Sequence, residues 1–328
     1  MKRVIATLAV LAASLGALLP TAASALTFSP PTFDFSANPG DTVNDAVRLH
    51  NEGAEPVTLK VEAANFASKP GDETSGIPDF YSSGEIRDGR ELAPWISFIN
   101  KEITLRPGER GSVFLEIKVP ADAGPGSYFG AAIVTNISPS TGQGVSLIGN
   151  TAILVMLKVG GDVVEEATLT GFTAAPKISA SLPARFEARI ENAGTVHLRP
   201  IGEVRIKDVF GRTVAVVPMN RREFKSVLPG GARRYSAEWS RSELAEGASS
   251  WERQRKNFAF GLYTAELTLE YGLQKKVMTA TARFWVFPWM VILAGLAACA
   301  SAILVIAGFL KWYRKRVIER FESRKGQP

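Results

Sequence analysis

From Leu26 to Val286 the chain is built of short runs in which apolar residues, often β-branched or aromatic, alternate with polar ones, and Pro, Gly, Asn and Asp separate the runs. A period of two puts successive side chains on opposite faces of a strand, and the 3.6-residue period of an amphipathic helix is nearly absent. The runs predict strands at 45–50, 57–63, 95–105, 112–119, 127–136 and 145–159. After a glycine pair they predict strands at 163–172, 184–190, 201–209, 213–217, 234–239, 262–271 and 276–284. Many short strands with turn residues between them predict an all-β fold, two tandem immunoglobulin-like β-sandwiches. A polar stretch at 240–256 has room for one short helix.

A repeat supports the tandem arrangement. Arg48-Leu49-His50-Asn51-Glu52-Gly53 is echoed by Arg189-Ile190-Glu191-Asn192-Ala193-Gly194, Leu105-Arg106-Pro107-Gly108 by Leu228-Pro229-Gly230, and Gly126-Ser127-Tyr128 by Gly261-Leu262-Tyr263. Each is a turn signal: Asn-x-Gly supplies positive φ, and Pro-Gly sets a tight turn before a strand. The order is the same in both halves. The division is placed near Gly160-Gly161, giving a first sandwich over 26–160 and a second over 161–286.

Both ends of the chain are read as membrane-related. Lys2-Arg3, an apolar run over 4–19, Pro20 and Ala23-Ser24-Ala25 form the charged, apolar and small-x-small parts of a secretory signal over 1–25. No charged residue occurs from Phe284 to Leu310, and 287–310 read as a single transmembrane α-helix, about 20 residues being enough to cross the hydrocarbon. Trp285 and Trp289 mark one rim and Trp312 the other. Lys311, Arg314, Lys315 and Arg316 open a basic tail over 311–328. The positive-inside rule places that tail in the cytoplasm and the bulk of the chain outside the cell, and the tail's cations suit anionic lipid.

This topology changes the meaning of the formal charge of +6 over 328 residues. Residues 26–160 carry 10 basic and 16 acidic residues, and 161–286 carry 19 and 14. The basic excess therefore records targeting and topology, and nucleic acid is not expected as a partner outside the cell. The single cysteine, Cys299, falls in the apolar helix, which excludes an intramolecular disulfide and a cysteine-based zinc site.

Catalytic chemistry is sparse. The two histidines, His50 and His197, lack metal-ligand spacing, and no nucleophile-elbow, zincin or P-loop motif occurs. The chain is read as non-catalytic and without a cofactor. A long acidic stretch over 65–91 does not match an EF-hand and reads as a solvated loop; its Phe80 and Tyr81, with Trp95 beyond it, are candidate ligand contacts. Arg221, Arg222, Arg233 and Arg234 are candidate basic contacts for an anionic polymer or headgroup.

Trp95, Ile-Thr-Leu-Arg-Pro-Gly-Glu-Arg-Gly at 103–111, Phe-Leu-Glu-Ile-Lys-Val-Pro-Ala-Asp-Ala-Gly-Pro-Gly-Ser-Tyr at 114–128 and Gly-Ala-Ala-Ile-Val at 130–134 resemble the WxL-interacting protein family. Similar turns occur in NEW3-type modules of glycan enzymes and in pilus-chaperone-like sandwiches. The resemblance covers roughly 28–158 and the order of parts. It implies a Gram-positive surface protein whose first sandwich binds cell-wall peptidoglycan or a related polymer and whose second docks another surface protein. The alternatives are a secreted-side chaperone or assembly subunit that completes a client strand with a sandwich edge, or an accessory module of a glycan-processing system.

Overall fold

The computed structural model describes residues 26–325 apart from 70, 75, 139–149, 222 and 224. The signal-like segment 1–25 lies outside the described residues, as does Arg222. Backbone packing divides the chain into two units. Unit 1 runs to Glu165 and takes in the returning segment Gly194–His197; unit 2 is Glu166–Ala193 with the chain from Leu198 onward.

Unit 1 contains β1 (Leu26–Ser29), β2 (Thr32–Ala37), β3 (Thr42–Asn51), β4 (Val57–Ser68), β5 (Pro78–Ser82), β6 (Ile96–Ile99), β7 (Glu102–Leu105), β8 (Arg110–Lys118), β9 (Gly126–Asn136) and β10 (Asn150–Val159). One sheet has the order β1-β3-β8-β6 and the other β2-β10-β9-β4-β5, with β7 also on β4. Alternation explains the core. Val47 and Leu49 of β3 and Val113, Leu115 and Ile117 of β8 face Leu59 and Val61 of β4 and Ile153, Val155 and Leu157 of β10. Their neighbours Arg48, Phe114 and Lys118 point out. Gly130 lies where β9 passes close to the 92–96 turn, and a Cβ there would sit 3.0 Å from Ile96 Cδ1 and 3.1 Å from Leu92 Cβ, a tight approach that these side chains would have to yield to.

Three stretches depart from the alternation pattern. The 95–105 run is two strands, not one: Asn100 adopts φ 61°, so that β6 pairs with β8 in one sheet and β7 with β4 in the other. Asn tolerates this left-handed conformation better than most residues. The 65–91 stretch is not simply a loop, since β4 continues to Ser68 and β5 pairs with it in antiparallel register. At the N-terminal end, Pro30 and Pro31 interrupt what would be one strand. Pro offers no N–H to a ladder, and β1 and β2 join opposite sheets.

Unit 2 contains β11 (Ala167–Ala175), β12 (Ile178–Ser179), β13 (Ala184–Asn192), β14 (Ile201–Lys207), β15 (Thr213–Met219), β16 (Ala232–Trp239), a short helix α1 (Ser250–Lys256), β17 (Gly261–Tyr271), β18 (Lys276–Val286) and the long helix α2 (Trp289–Lys325). Its sheets have the orders β11-β13-β16 and β12-β18-β17-β14-β15. Phe186, Trp239, Tyr263 and Phe284 are buried between them in edge-to-face and stacked pairs, with centroids 5.2 to 6.1 Å apart.

The sequence repeat has a structural counterpart. In unit 1 the Gly108 N–H donates to Asn51 O (2.7 Å) and the Asn51 N–H to Glu109 O (3.0 Å), while the Asn51 amide donates to Leu105 O (3.2 Å). In unit 2 the Gly230 N–H donates to Asn192 O (2.8 Å) and the Asn192 N–H to Gly231 O (3.0 Å), while the Asn192 amide donates to Val227 O (3.0 Å). Each unit thus ends one strand by locking a buried Asn to a Pro-Gly turn. Both glycines lie at positive φ, 74° and 68°. The third echo opens β9 and β17, where the Tyr128 hydroxyl donates back to Gly124 O and that of Tyr263 to Phe260 O.

Helix α2 follows β18 after Phe287 and Pro288. Its segment Trp289–Arg316, 28 residues, is long and apolar enough to cross a membrane. The helix continues without a break into the basic tail as far as Lys325. Trp312 lies under the Arg316 guanidinium (4.5 Å to the ring centroid).

Candidate functional site

The most distinctive local arrangement in unit 1 is an interrupted sheet edge. Strand β10 pairs with β9 along its whole length, from Asn150 opposite Thr135 to Val159 opposite Gly126. On its other side β2 runs parallel to it only from Leu154 to Val159. The Leu154 N–H, which donates to Pro31 O (3.3 Å), marks where that pairing begins. Because successive backbone groups alternate sides, the N–H and C=O of Asn150 and Ala152 point the same way as those of Leu154. Among the described residues nothing pairs with them there, since the chain before Pro30 has crossed to the opposite sheet.

Beyond the polar Asn150 and Thr151, the side chains flanking this notch are apolar. Ile153 belongs to the core face, and Ala152 and Leu154 lie half-buried on the outer face. Beside them across β9 are Ile133 and Ala131. Further across the same face Phe129 packs on Phe66 (5.6 Å between centroids) and Phe66 on Phe80 (6.2 Å). The sheet is therefore buried on both faces of its central strands. That accounts for the unbroken apolar runs in β9 and β10, where alternation is lost.

A Ser-His-Asp line also lies in unit 1, formed by residues far apart in the sequence. His197 Nε2–H donates to Asp34 Oδ1 (3.0 Å). The other ring nitrogen, Nδ1, lies 2.8 Å from Ser127 Oγ, within hydrogen-bond distance. Ser127 Oγ also accepts the His197 backbone N–H (2.9 Å). Both side chains are 1% exposed. The hydroxyl is engaged twice and has no approach for a substrate, so the arrangement fastens segment 194–197 onto β2 and β9. Thr195 O strengthens the joint by accepting from the Ser127 N–H (3.1 Å) and Arg90 (2.8 Å).

A second buried polar group lies in the acidic stretch. Glu91 Oε1 accepts the backbone N–H groups of Arg87 (2.6 Å) and Asp88 (3.1 Å) and the Tyr81 hydroxyl (3.3 Å). Burial works to raise the Glu91 carboxyl pKa, but these hydrogen bonds outweigh it and hold it below the ordinary glutamate value. Burial, followed by the charges of Glu91 and Asp88, pushes the Tyr81 phenol well above its usual value. Arg87 covers the Tyr81 ring at 4.0 Å and pairs with Asp79 and Glu85. The acidic side chains are thus used to order the stretch. Among the described residues no cluster of three metal-ligating side chains occurs.

The residues singled out from sequence are not gathered in one place. Phe80 is exposed (38%) and Tyr81 is buried (6%), on opposite faces of β5. Trp95 is half-buried against Tyr128, with centroids 4.3 Å apart. In unit 2, Arg233 donates to Ser226 O, and its neighbour Arg234 lies on the other face of β16, 4.0 Å from Glu187. Arg221 lines a groove of about 660 Å³ with Arg199, Arg205, Lys275, Glu203 and Glu270. Trp285, Trp289, Lys311, Trp312, Arg314, Lys315 and Arg316 lie at or along α2 with exposed side chains.

No protein-family model matches the chain, and no curated protein matches it. Among solved structures the chain is similar to the class 5 fimbriae chaperone CfaA, at 12% identity over 79% of this chain and 99% of that one, with a TM-score of 0.38. It is similar to the E. coli chaperone DraB at 12% identity, 80% and 98% coverage and a TM-score of 0.34. A chain of the Salmonella enterica SafA pilin–SafB chaperone complex is similar at 9% identity, 80% and 97% coverage and a TM-score of 0.37.

Proposed function

We propose that this chain is a membrane-tethered, non-catalytic assembly protein of the cell surface, whose first unit receives an extended segment of another secreted polypeptide by strand addition. The observation that carries the reading is the notch in β10. A strand entering in line with β2 would meet the backbone groups of Asn150 and Ala152, and its side chains would meet Ala152 and Leu154 on one face and the core end at Ile153 on the other. Backbone pairing would supply affinity, and the alternate side chains selectivity. The signal-like segment, the apolar helix and the basic tail support an ectodomain outside the cell and a C-terminus in the cytoplasm.

The wall-polymer reading implied by the WxL resemblance asks for several aromatic or polar groups on one exposed face. Phe80, Tyr81 and Trp95 do not provide that face, whereas strand addition needs only backbone that the edge already presents. The test is photocrosslinking in full-length protein with the reactive residue at Ala152. A secreted polypeptide captured there, and lost when Asn150 is replaced by Pro, supports the reading. Equal capture from Val216 on the β15 edge would sink it. Retention on purified wall that ignores both substitutions would favour the polymer instead.

A further inference from the structure

The passage from β18 into α2 contains no linker. Phe287 N–H donates to Ser179 O (2.8 Å), Trp289 N–H to Phe287 O (2.8 Å), and Ile292 N–H to Pro288 O (3.1 Å). The first-turn N–H of Met290, which has no acceptor within its own helix, donates to Gln254 Oε1 (2.9 Å). Gln254 is buried and belongs to α1. Helix α1 is itself held at both ends. Ser249 Oγ accepts the Glu252 N–H (3.2 Å), and the Asn257 side chain accepts the N–H groups of Arg241 (2.8 Å) and Ser242 (2.9 Å). The base of unit 2 and the start of α2 are therefore one hydrogen-bonded piece.

That base exposes apolar rings which a water-facing surface would have to hydrate. Trp251 (45%), Phe258 (39%), Phe260 (58%) and Phe287 (50%) are exposed beside the helix start, and Phe260 tilts against Phe287 at 6.1 Å. Trp285 lies opposite Ile178 in the β12–β18 register, both exposed. Segments 175–183 and 240–260, which complete this end, hold five cationic and three acidic residues. Aromatic rings beside cations are the side chains that gain most from the headgroup layer of a bilayer.

We propose that the base of unit 2 is a second membrane contact, a ring of aromatic side chains seated in the headgroup layer of the leaflet that α2 enters. The inference rests on the reading that α2 spans a bilayer. If Trp289 lies at the rim, a base fixed to its first turn sits at the same depth, and the rings need no further chain to reach lipid. The occupant is lipid, because the rings surround the point where the chain itself passes into the apolar helix.

The test uses the full chain in vesicles whose acyl chains carry bromine, which quenches nearby indoles. Of the six tryptophans, one variant keeps only Trp251 and another only Trp312, the rest being replaced by Phe. Loss of emission from both supports the proposal. Loss from Trp312 with Trp251 unchanged overturns it while leaving the spanning helix intact, and loss from neither overturns the spanning helix as well. Should the replacements prevent folding, hydrogen exchange of the unmodified protein decides the same question. Amides over 250–260 exchange more slowly in nanodiscs than in short-chain detergent if the base is seated in lipid, and equal rates overturn the proposal.

Discussion

The side-chain amide of Asn51 donates to the carbonyl oxygen of Leu105, 54 residues further along the chain, at 3.2 Å. The same amide donates to Glu55 O (2.8 Å), and its oxygen accepts the Gly53 N–H (3.0 Å), the Asn51 side chain itself being fully buried. One side chain thereby closes its own turn and ties it to the turn at Pro107-Gly108. Replacing Asn51 by Ala would leave buried backbone groups unpaired, at a cost of about 2–3 kcal/mol. Denaturant unfolding of the full chain in detergent checks this, and Asn192→Ala is expected to lose a similar amount. A change within experimental error for both would contradict the shared junction.

Glu91 makes stability depend on acid in a defined direction. Its carboxyl is held below the ordinary value in the folded state, so its contribution is complete above the unfolded value of about 4.3 and disappears as pH falls through the lower folded value. Glu91→Gln keeps the shape and removes the charge. The stability gap between wild type and Glu91→Gln should be widest near neutral pH and narrow below about pH 4. A gap that stays constant down to about pH 3 would show that the hydrogen bonds do not favour the ionised form.

Gly202 has no room for a side chain. A Cβ there would lie 1.9 Å from Thr268 O, a backbone atom of the neighbouring β17. Gly202→Ala must push β14 from β17, and a loss on the order of 2–4 kcal/mol is expected in thermal unfolding. Wild-type stability in this variant would mean that the two strands part at no cost.

The Ser127–His197–Asp34 line is expected to be inert. A fluorophosphonate probe, which labels activated serines, should leave Ser127 unmodified in the folded protein, because both Ser127 and His197 are closed to solvent. Ser127→Ala should instead lower stability by about 1–3 kcal/mol, since the His197 N–H and ring would lose their shared partner. Stoichiometric labelling of Ser127 would reopen the enzymatic reading.

What could be read from sequence follows from how each feature is encoded. Strands β3, β8 and β17 alternate cleanly because one face meets the core and the other meets solvent. The Pro-Gly echoes were legible because the positive φ of Gly108 and Gly230 leaves few choices of residue, whereas the Asn-x-Gly echoes, expected to supply positive φ, instead carry the buried amides of Asn51 and Asn192. Strands β1, β2 and β5 were not, being short, interrupted by proline or set among acidic residues whose ion pairs depend on the folded arrangement. The notch in β10 is a property of what does not pair with it, and no residue of β10 records that. His197 and Asp34 stand 163 positions apart, and neither has a neighbour that announces the other.

Phe287 and Pro288 are the whole of the joint between the last strand and the apolar helix, and both are engaged, Phe287 through its N–H to Ser179 and Pro288 through its carbonyl to Ile292. A joint with no slack does not damp motion. If α2 spans a bilayer as proposed, then in one thicker or thinner than its apolar length the helix would adjust by tilting, and unit 2 would lean with it. On that reading the orientation of this sandwich would follow the thickness of the lipid around it, and a force applied to unit 2 would arrive in the membrane as torque on a single helix.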